Sequence, residues 1–439
     1  MKARRIVIIE VLCAFILLSI IHVSIRGSST ESWSRLKPYV EVPWTNDGGD
    51  HGDKNVDIAG IADIVWPYEP QLDNVTGPYV KSILNSNDSS IPRLQCPAFN
   101  RSRYAYMKTA PGKTDSQDVR YFFALNLRQS GHLIARLLGS IVEAAHFLGI
   151  SSRRHPRILA ALQPELQRIG LRYFLNLTDI NPKEGERIAK LAQLRNLALD
   201  PLSSSTAPVS ASADTTVVFV NDVAPCPDDL LELVHQRRLQ SADMTCAMDW
   251  TYAGKDPTFY DVWVARTLTG DSFFPIPPDG SWDQAWNIFS TDPETQRRYI
   301  QRLPFQVFAC WNGAAAFSAG PILGLPVEPG RGGGVVHGGK VAFRSNRDEE
   351  CYAGEPTLFC KDLWWAGYGR IAVIPSINIE YSDEASTKIK KLKGFTSKWT
   401  AEEDLPATKI LWQEEPPAEW KCMHGWHDQV WVPWNQTLS

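Results

Sequence analysis

The chain has 439 residues, 44% hydrophobic and 21% charged, with a formal net charge of −4. This is ordinary globular composition, enough for one large or two modest domains. The mild acidity argues against a nucleic-acid partner, which usually demands a basic stripe.

Lys2, Arg4 and Arg5 precede Ile6 to Ile25, an almost unbroken apolar span closed by Arg26. Its length suits a bilayer crossing. The basic flank is N-terminal, so the N-terminus is expected in the cytoplasm and the rest in the lumen. A cleaved signal peptide is the alternative. The long apolar core, with no small-x-small site after it, favours an uncleaved anchor over residues 1–26. Residues 27–63 are polar and Gly/Asp-rich and read as a stem; 64–439 form the body. Five Asn-x-Ser/Thr sites, at Asn74, Asn87, Asn100, Asn176 and Asn435, agree with a lumenal body. Seven cysteines lie beyond the anchor, an odd number, so at least one is free or pairs between chains. Cys351 and Cys360 are close enough in sequence to bridge over a tight turn, and no spacing suggests zinc.

Within the body, 65–111 reads as irregular chain wrapped on a core that spans about 119–381. Val119 to Leu127 is a strand candidate. Leu133 to Leu148 follows as an amphipathic helix, with Leu137, Leu138, Ile141, Ala144 and Leu148 on one face. A helix over 159–169, a strand over 171–175 and a helix over 188–199 come next, the last with Arg187 and Arg195 exposed. Residues 202–214 are a small-residue loop.

The segment from Val217 to Trp250 organises the rest. Val217 to Val220 is wholly apolar and rich in β-branched residues, the pattern of a strand buried on both faces. It stops at Asn221-Asp222. Asp228 and Asp229 sit where a helix N-terminus wants acids, and apolar residues then recur at helical spacing. A second run, Met244 to Met248, ends at Asp249-Trp250. Strand, acid, helix, strand, acid is a βαβ pattern with two carboxylates at the ends of adjacent strands. Open α/β sheets bind ligands at that edge. A carboxylate there can hold Mg²⁺ or Mn²⁺ against a diphosphate; it can equally be a turn residue.

Aromatic loops follow: Tyr260-Asp261-Val262-Trp263, Phe273-Phe274-Pro275 and Trp282 to Trp286. Such rings suit stacking on sugar faces, and equally suit a core. Val307 to Ala309 runs into Cys310-Trp311-Asn312-Gly313. Residues 329–334 are a flexible Gly-rich loop without a phosphate-binding ending. Cys351 to Trp365 holds Glu355 and Asp362. Ile371 to Pro375 and Ile377 to Tyr381 read as separate strands. The Trp-rich tail, 382–439, shows no clean period.

Taken together, these residues resemble a known family, the fungal capsule-associated α-1,3-mannosyltransferases of the cryptococcal type. The resemblance rests on Arg93-Leu94-Gln95-Cys96-Pro97, Leu194-Arg195-Asn196, Phe219-Val220-Asn221-Asp222-Val223, Cys246-Ala247-Met248-Asp249-Trp250, Phe259 to Trp263, Cys310 to Gly313 and Gly354-Glu355-Pro356 with Cys360-Lys361-Asp362. It implies an α/β, GT-A-like nucleotide-sugar fold on a single-pass, type II Golgi membrane glycoprotein. It implies transfer of mannose from GDP-mannose to a mannoside or glycan acceptor, with retention of configuration and a divalent metal.

On that resemblance Asp222 is assigned to the metal or diphosphate. Glu355 and Asp362 are assigned to acceptor hydroxyls or to the charge developing on the sugar. Arg195 is expected to face the diphosphate. Asn221, Asp249, Trp250, Asp261, Trp311 and Asn312 complete the expected substrate contacts.

The segment after Gly149 departs from the family pattern. Ile150 to Arg157 replaces an expected strand with a basic run that would bury unpaired charge in a sheet. It is expected as an exposed loop that weakens turnover. The alternative function is therefore a non-catalytic sugar-binding Golgi protein of the same fold.

Overall fold

The computed structural model describes residues 78–438 apart from 86–87, 89, 109–119, 129, 150–173, 175, 177, 204–209, 254–255, 328–338 and 404. The anchor, the stem, their boundaries, the segment 150–157, the helix over 159–169, nearly all of the strand over 171–175 and the 329–334 loop lie outside the described residues. No helix among the described residues is long and apolar enough to cross a membrane.

The fold is mixed α/β around one central sheet. Its strands are β1 (Tyr121–Leu125), β2 (Thr216–Val220), β3 (Met244–Ala253), β4 (Asp256–Phe259), β5 (Arg266–Thr267), β6 (Phe305–Ala309), β7 (Ala314–Ser318) and β8 (Ile371–Ile379). They lie in the order β1-β2-β7-β3-β8-β6-β5, with β4 paired to β3. The β1–β2 and β3–β8 pairs are parallel, while β7 is antiparallel to both β2 and β3. This corrects the expected adjacency: β2 and β3 run the same way, but β7 lies between them. Both still deliver their C-terminal ends to the edge where β7 begins.

Alternation along β2 supplies two cores. Val217 and Phe219 enter one, with Met244, Phe317 and Phe359. Val218 and Val220 enter the other, against α1 (Ile134–Leu148) and α3 (Pro227–Leu239) through Leu137, Ile141, Leu231 and Val234. Gly149 ends α1 at φ 73°, a left-handed turn that suits glycine. Between α1 and β2 lies α2 (Arg187–Ser203). Later helices are α4 (Pro293–Ile300), α5 (Glu355–Trp365), α6 (Asp383–Lys393) and α7 (Thr396–Ala401).

Two further expectations change. Ile371 to Ile379 is one strand, because Pro375 falls where the β3–β8 register shifts and no ladder N–H is needed. The tail, which shows no clean period, contains the antiparallel hairpin β9–β10 of Glu419–Gly425 and Asp428–Pro433. Cys351 does not pair with Cys360. The disulfides are Cys96–Cys226, Cys246–Cys310 and Cys351–Cys422, and Cys360 is a buried free thiol on α5.

Candidate active site

The strand-end edge gathers chemistry from six segments. Asn221 and Asp222 leave β2, Asp249 lies on β3, and Asn312-Gly313 opens β7. Arg195 comes from α2, Glu355 from the first turn of α5, and Tyr381 follows β8. The junction is tight. Asn221 N–H donates to Gly313 O at 2.9 Å. A Cβ on Gly313, which has φ +78°, would lie 3.0 Å from Ile379 and 3.1 Å from Val223, so only glycine fits without displacement.

Arg195 and Glu355 form the first half of the site. The Arg195 Nε donates to Glu355 Oε1 at 2.7 Å, and its Nη1 donates to Asn221 Oδ1 at 3.2 Å. Its guanidinium lies 4.4 Å from the Trp311 ring centroid, a cation–π contact. Trp311 Nε1 also donates to Asn221 Oδ1, at 3.1 Å. The expectation of an exposed Arg195 is overturned: it is 9% exposed, because Glu355 compensates its charge.

Asp249 and Asp261 form the second half. Tyr381 Oη donates to Asp249 Oδ2 at 2.6 Å, whereas the buried Asp249 Oδ1 has no hydrogen-bond partner among the described residues. Burial first, and Asp261 second, push the Asp249 carboxyl well above the usual range. Asp261 is pushed up to about 6, chiefly by desolvation, although Asn312 N–H donates to its Oδ2 at 3.0 Å. Asn312 is itself in the left-handed region, at φ 54°, fixed by its Nδ2 bond to Ala247 O at 2.8 Å. Held strain of this kind often marks a functional turn. Tyr260 packs against Tyr381, with ring centroids 4.7 Å apart and planes tilted by 56°. Its phenol is pushed up by partial burial, then by Asp249, Asp261 and Asp222, so all three acids act on one point.

Asp222 is half-exposed and makes no hydrogen bond among the described residues. No three His, Cys, Asp or Glu side chains among the described residues cluster as a metal site. The donor chemistry that is present, one open carboxylate and the unpartnered Asp249 Oδ1, fits a hard cation completed by substrate phosphates rather than a protein cage.

Two expected contacts lie elsewhere. Asp362 is two turns along α5 from Glu355, where Arg344 grips it through Nε at 2.7 Å and Nη2 at 2.8 Å. Arg344 also binds Glu350, which accepts from the buried Lys361. Trp250, next to Asp249 on β3, turns to the opposite face, where its Nε1 donates to Asn378 at 2.9 Å. Phe273 and Phe274 are core residues rather than sugar-facing rings. Sequence reasoning missed Tyr381 as a partner of Asp249; its place just past the end of an apolar strand was the available signal.

The segment 120–362 matches the family model described as cryptococcal mannosyltransferase 1. The chain is 32% identical over 354 residues to an α-1,3-mannosyltransferase, CMT1, of Cryptococcus neoformans, covering 73% of each chain. Among solved structures it resembles TarS 1–349 of S. aureus at 12% identity and a TM-score of 0.28. That match covers 63% of this chain and 64% of TarS 1–349, less than two thirds of the latter's length.

Proposed function

The chain belongs to the cryptococcal mannosyltransferase 1 family and is a glycosyltransferase; on that premise we propose that it moves mannose from GDP-mannose to the 3-position of an acceptor mannoside, retaining configuration. The observation that carries this reading is the convergence of Asn221-Asp222, Asp249, Asp261 and the Arg195–Glu355 pair at one sheet edge. All of them fall inside the matched segment. A sheet edge of this kind suits a GT-A-like donor site.

Asp222 would hold the divalent cation, Mn²⁺ or Mg²⁺, on the diphosphate side of the donor site. The cation's contribution is to offset charge on the departing diphosphate. Asn221 presents its amide nitrogen to the donor, because Arg195 and Trp311 fix its oxygen. Arg195 acts by holding Glu355 and Asn221 in place, since its charge is already engaged. Glu355, at a helix N-terminus, and Asp261 lie nearest the sugar, where carboxylates stabilise positive charge developing at the anomeric carbon. Tyr381 fixes the Asp249 carboxyl, leaving Oδ1 for a substrate hydroxyl or the cation.

The address follows from the sequence. The apolar span 6–25, with its basic N-terminal flank, supports a type II Golgi protein with a lumenal body. Asn100, Asn176 and Asn435 are exposed, as glycan attachment requires. The test is incubation of the detergent-solubilised full chain with GDP-mannose, Mn²⁺ and mannobiose, followed by linkage analysis. The reading expects an α-1,3-linked product that disappears on chelation. Transfer from another nucleotide sugar, with none from GDP-mannose, contradicts it.

A further inference from the structure

We propose that Trp263, stacked on Trp426, is an acceptor platform that binds the sugar unit next to the reacting one, so that the acceptor is an oligosaccharide chain. This rests on the glycosyl-transfer reading and adds the acceptor class to it.

The aromatic loops divide sharply once folded. Phe273 and Phe274 are each 1% exposed and belong to the core, whereas Tyr260 and Trp263 are 46% and 41% exposed. These two exposed rings flank Asp261, whose carboxylate holds the Asn312 turn. Hydrogen bonds from Val262 N to Tyr260 O at 2.8 Å, and from Ala265 N to Asp261 O at 3.0 Å, close the segment into a rigid turn. Two residues of chain reach at most about 7 Å, so Trp263 sits beside the site and just outside it.

Trp263 is held in place from behind. Its ring meets Trp426 at 4.2 Å between centroids, with an interplanar angle of 38°. Trp426 lies in the turn between β9 and β10, and Gln429 Nε2 donates to its carbonyl at 2.7 Å and to Ile276 O at 2.9 Å. Gly280, at φ +74°, closes on the other side; a Cβ there would fall 2.6 Å from Trp426 Cδ1. Three separate segments thus fix one indole against another, while the outer indole stays open to solvent.

A fixed, half-exposed ring loses little entropy on binding. It suits a ligand with an apolar face and a hydroxyl-rich edge, which is a hexopyranose. Tyr260 links the platform inward, since its ring packs against Tyr381 and the Tyr381 hydroxyl bonds Asp249. The order from Asp249 through Tyr260 to Trp263 places the platform one position beyond the reacting sugar. A single mannoside reaches the inner part alone; a longer chain reaches both.

The test compares methyl α-mannoside with mannotriose as acceptors for the detergent-solubilised full chain. For Trp263→Ala the ratio of mannotriose KM to methyl α-mannoside KM should rise about tenfold, the scale of one lost aromatic stack. Trp263→Phe should recover most of that loss. Trp263→Leu keeps apolar packing on Trp426 without a ring face and should behave like Trp263→Ala, which covers a folding failure of the alanine variant. Equal losses on both acceptors in either variant overturn the platform. Tryptophan fluorescence titration with mannotriose, without donor, separates the two claims. Quenching lost in Trp263→Leu supports the platform even if no mannose is transferred. No quenching in the parent chain overturns it, whatever the transfer assay shows.

Discussion

At the start of α3, Asp229 is buried but fully satisfied, whereas at the strand-end edge Asp249 is buried and is not. Asp229 accepts from Lys390 Nζ and Thr396 Oγ1, both at 2.6 Å, and from Cys226 N–H at 2.7 Å. Asp249 has Tyr381 on one oxygen and, among the described residues, no partner on the other. Asp362 and Glu350 side with Asp229: Arg344 and Lys361 cover them. Folding favours buried acids that are paired, so an acid buried without full compensation points to a site kept for another purpose. Proximity in sequence to a motif does not separate the two kinds. Hydrogen-bond satisfaction separates Asp249 from Asp229, although Asp228 at the start of α3 also buries an oxygen that has no partner among the described residues.

The largest stability effect expected is at Asp229. As a simple helix cap it would be worth about 1 kcal/mol. Paired with Lys390 in the interior, Asp229→Asn leaves an uncompensated ammonium and should cost about 3–5 kcal/mol, read from the denaturant midpoint. Adding Lys390→Met should return most of that loss. A cost below about 1 kcal/mol would place Asp229 back among ordinary caps.

Asp362→Asn should cost less, about 1–2 kcal/mol, because Glu350 remains to balance Arg344. Its transfer rate should stay within about threefold of the parent. A hundredfold drop would move Asp362 into the chemistry.

Asp249→Asn should be the opposite case, with stability unchanged or raised by up to about 1 kcal/mol, since a costly buried carboxyl is replaced by a neutral isostere. A loss as large as that of Asp229→Asn would erase the distinction between the two regions.

A further effect concerns pH. Asp228 is held up to about 7, first by burial, then by Asp229, against Lys390 and the Ser397 N–H bond. In the unfolded chain it ionises near 3.9. Between those values the folded state keeps a proton that the unfolded state has released. The associated stability is present below about 4 and is lost as pH rises through about 7. Asp228→Asn should flatten that part of the stability–pH curve between about pH 4 and 7. An unchanged slope would assign it to another group.

Local pattern was enough for some of this and silent on the rest. β2 was readable because Val217 to Val220 is a wholly apolar run rich in β-branched residues, a purely local property. β7 was not: Ala314 to Ser318 has no β-branched residue, and its position between β2 and β3 depends on pairing with distant strands. The Arg195–Glu355 pair joins residues 160 apart in sequence, so Arg195 was assigned to the diphosphate and placed on an exposed helix face, with no sign of its carboxylate partner. Asp362 was grouped with Glu355 because the two share a short motif. The α5 helix separates them by about 10 Å along its axis, and Arg344 claims the far one. Asn221, Asp222, Asp249, Asp261 and Asn312 were legible as polar punctuation after apolar runs; what completes them, Tyr381 and the Trp311–Arg195 stack, comes from elsewhere in the fold.

The most direct test of the central claim is Asp222→Asn, measured for mannose transfer and for unfolding on the same preparation. Asp222 is half-exposed and without a hydrogen-bond partner among the described residues. The account predicts a fall in transfer of about 10²-fold or more with an unfolding midpoint close to the parent's. Transfer at the parent's rate, or a loss of transfer only in proportion to a loss of folded protein, would contradict it.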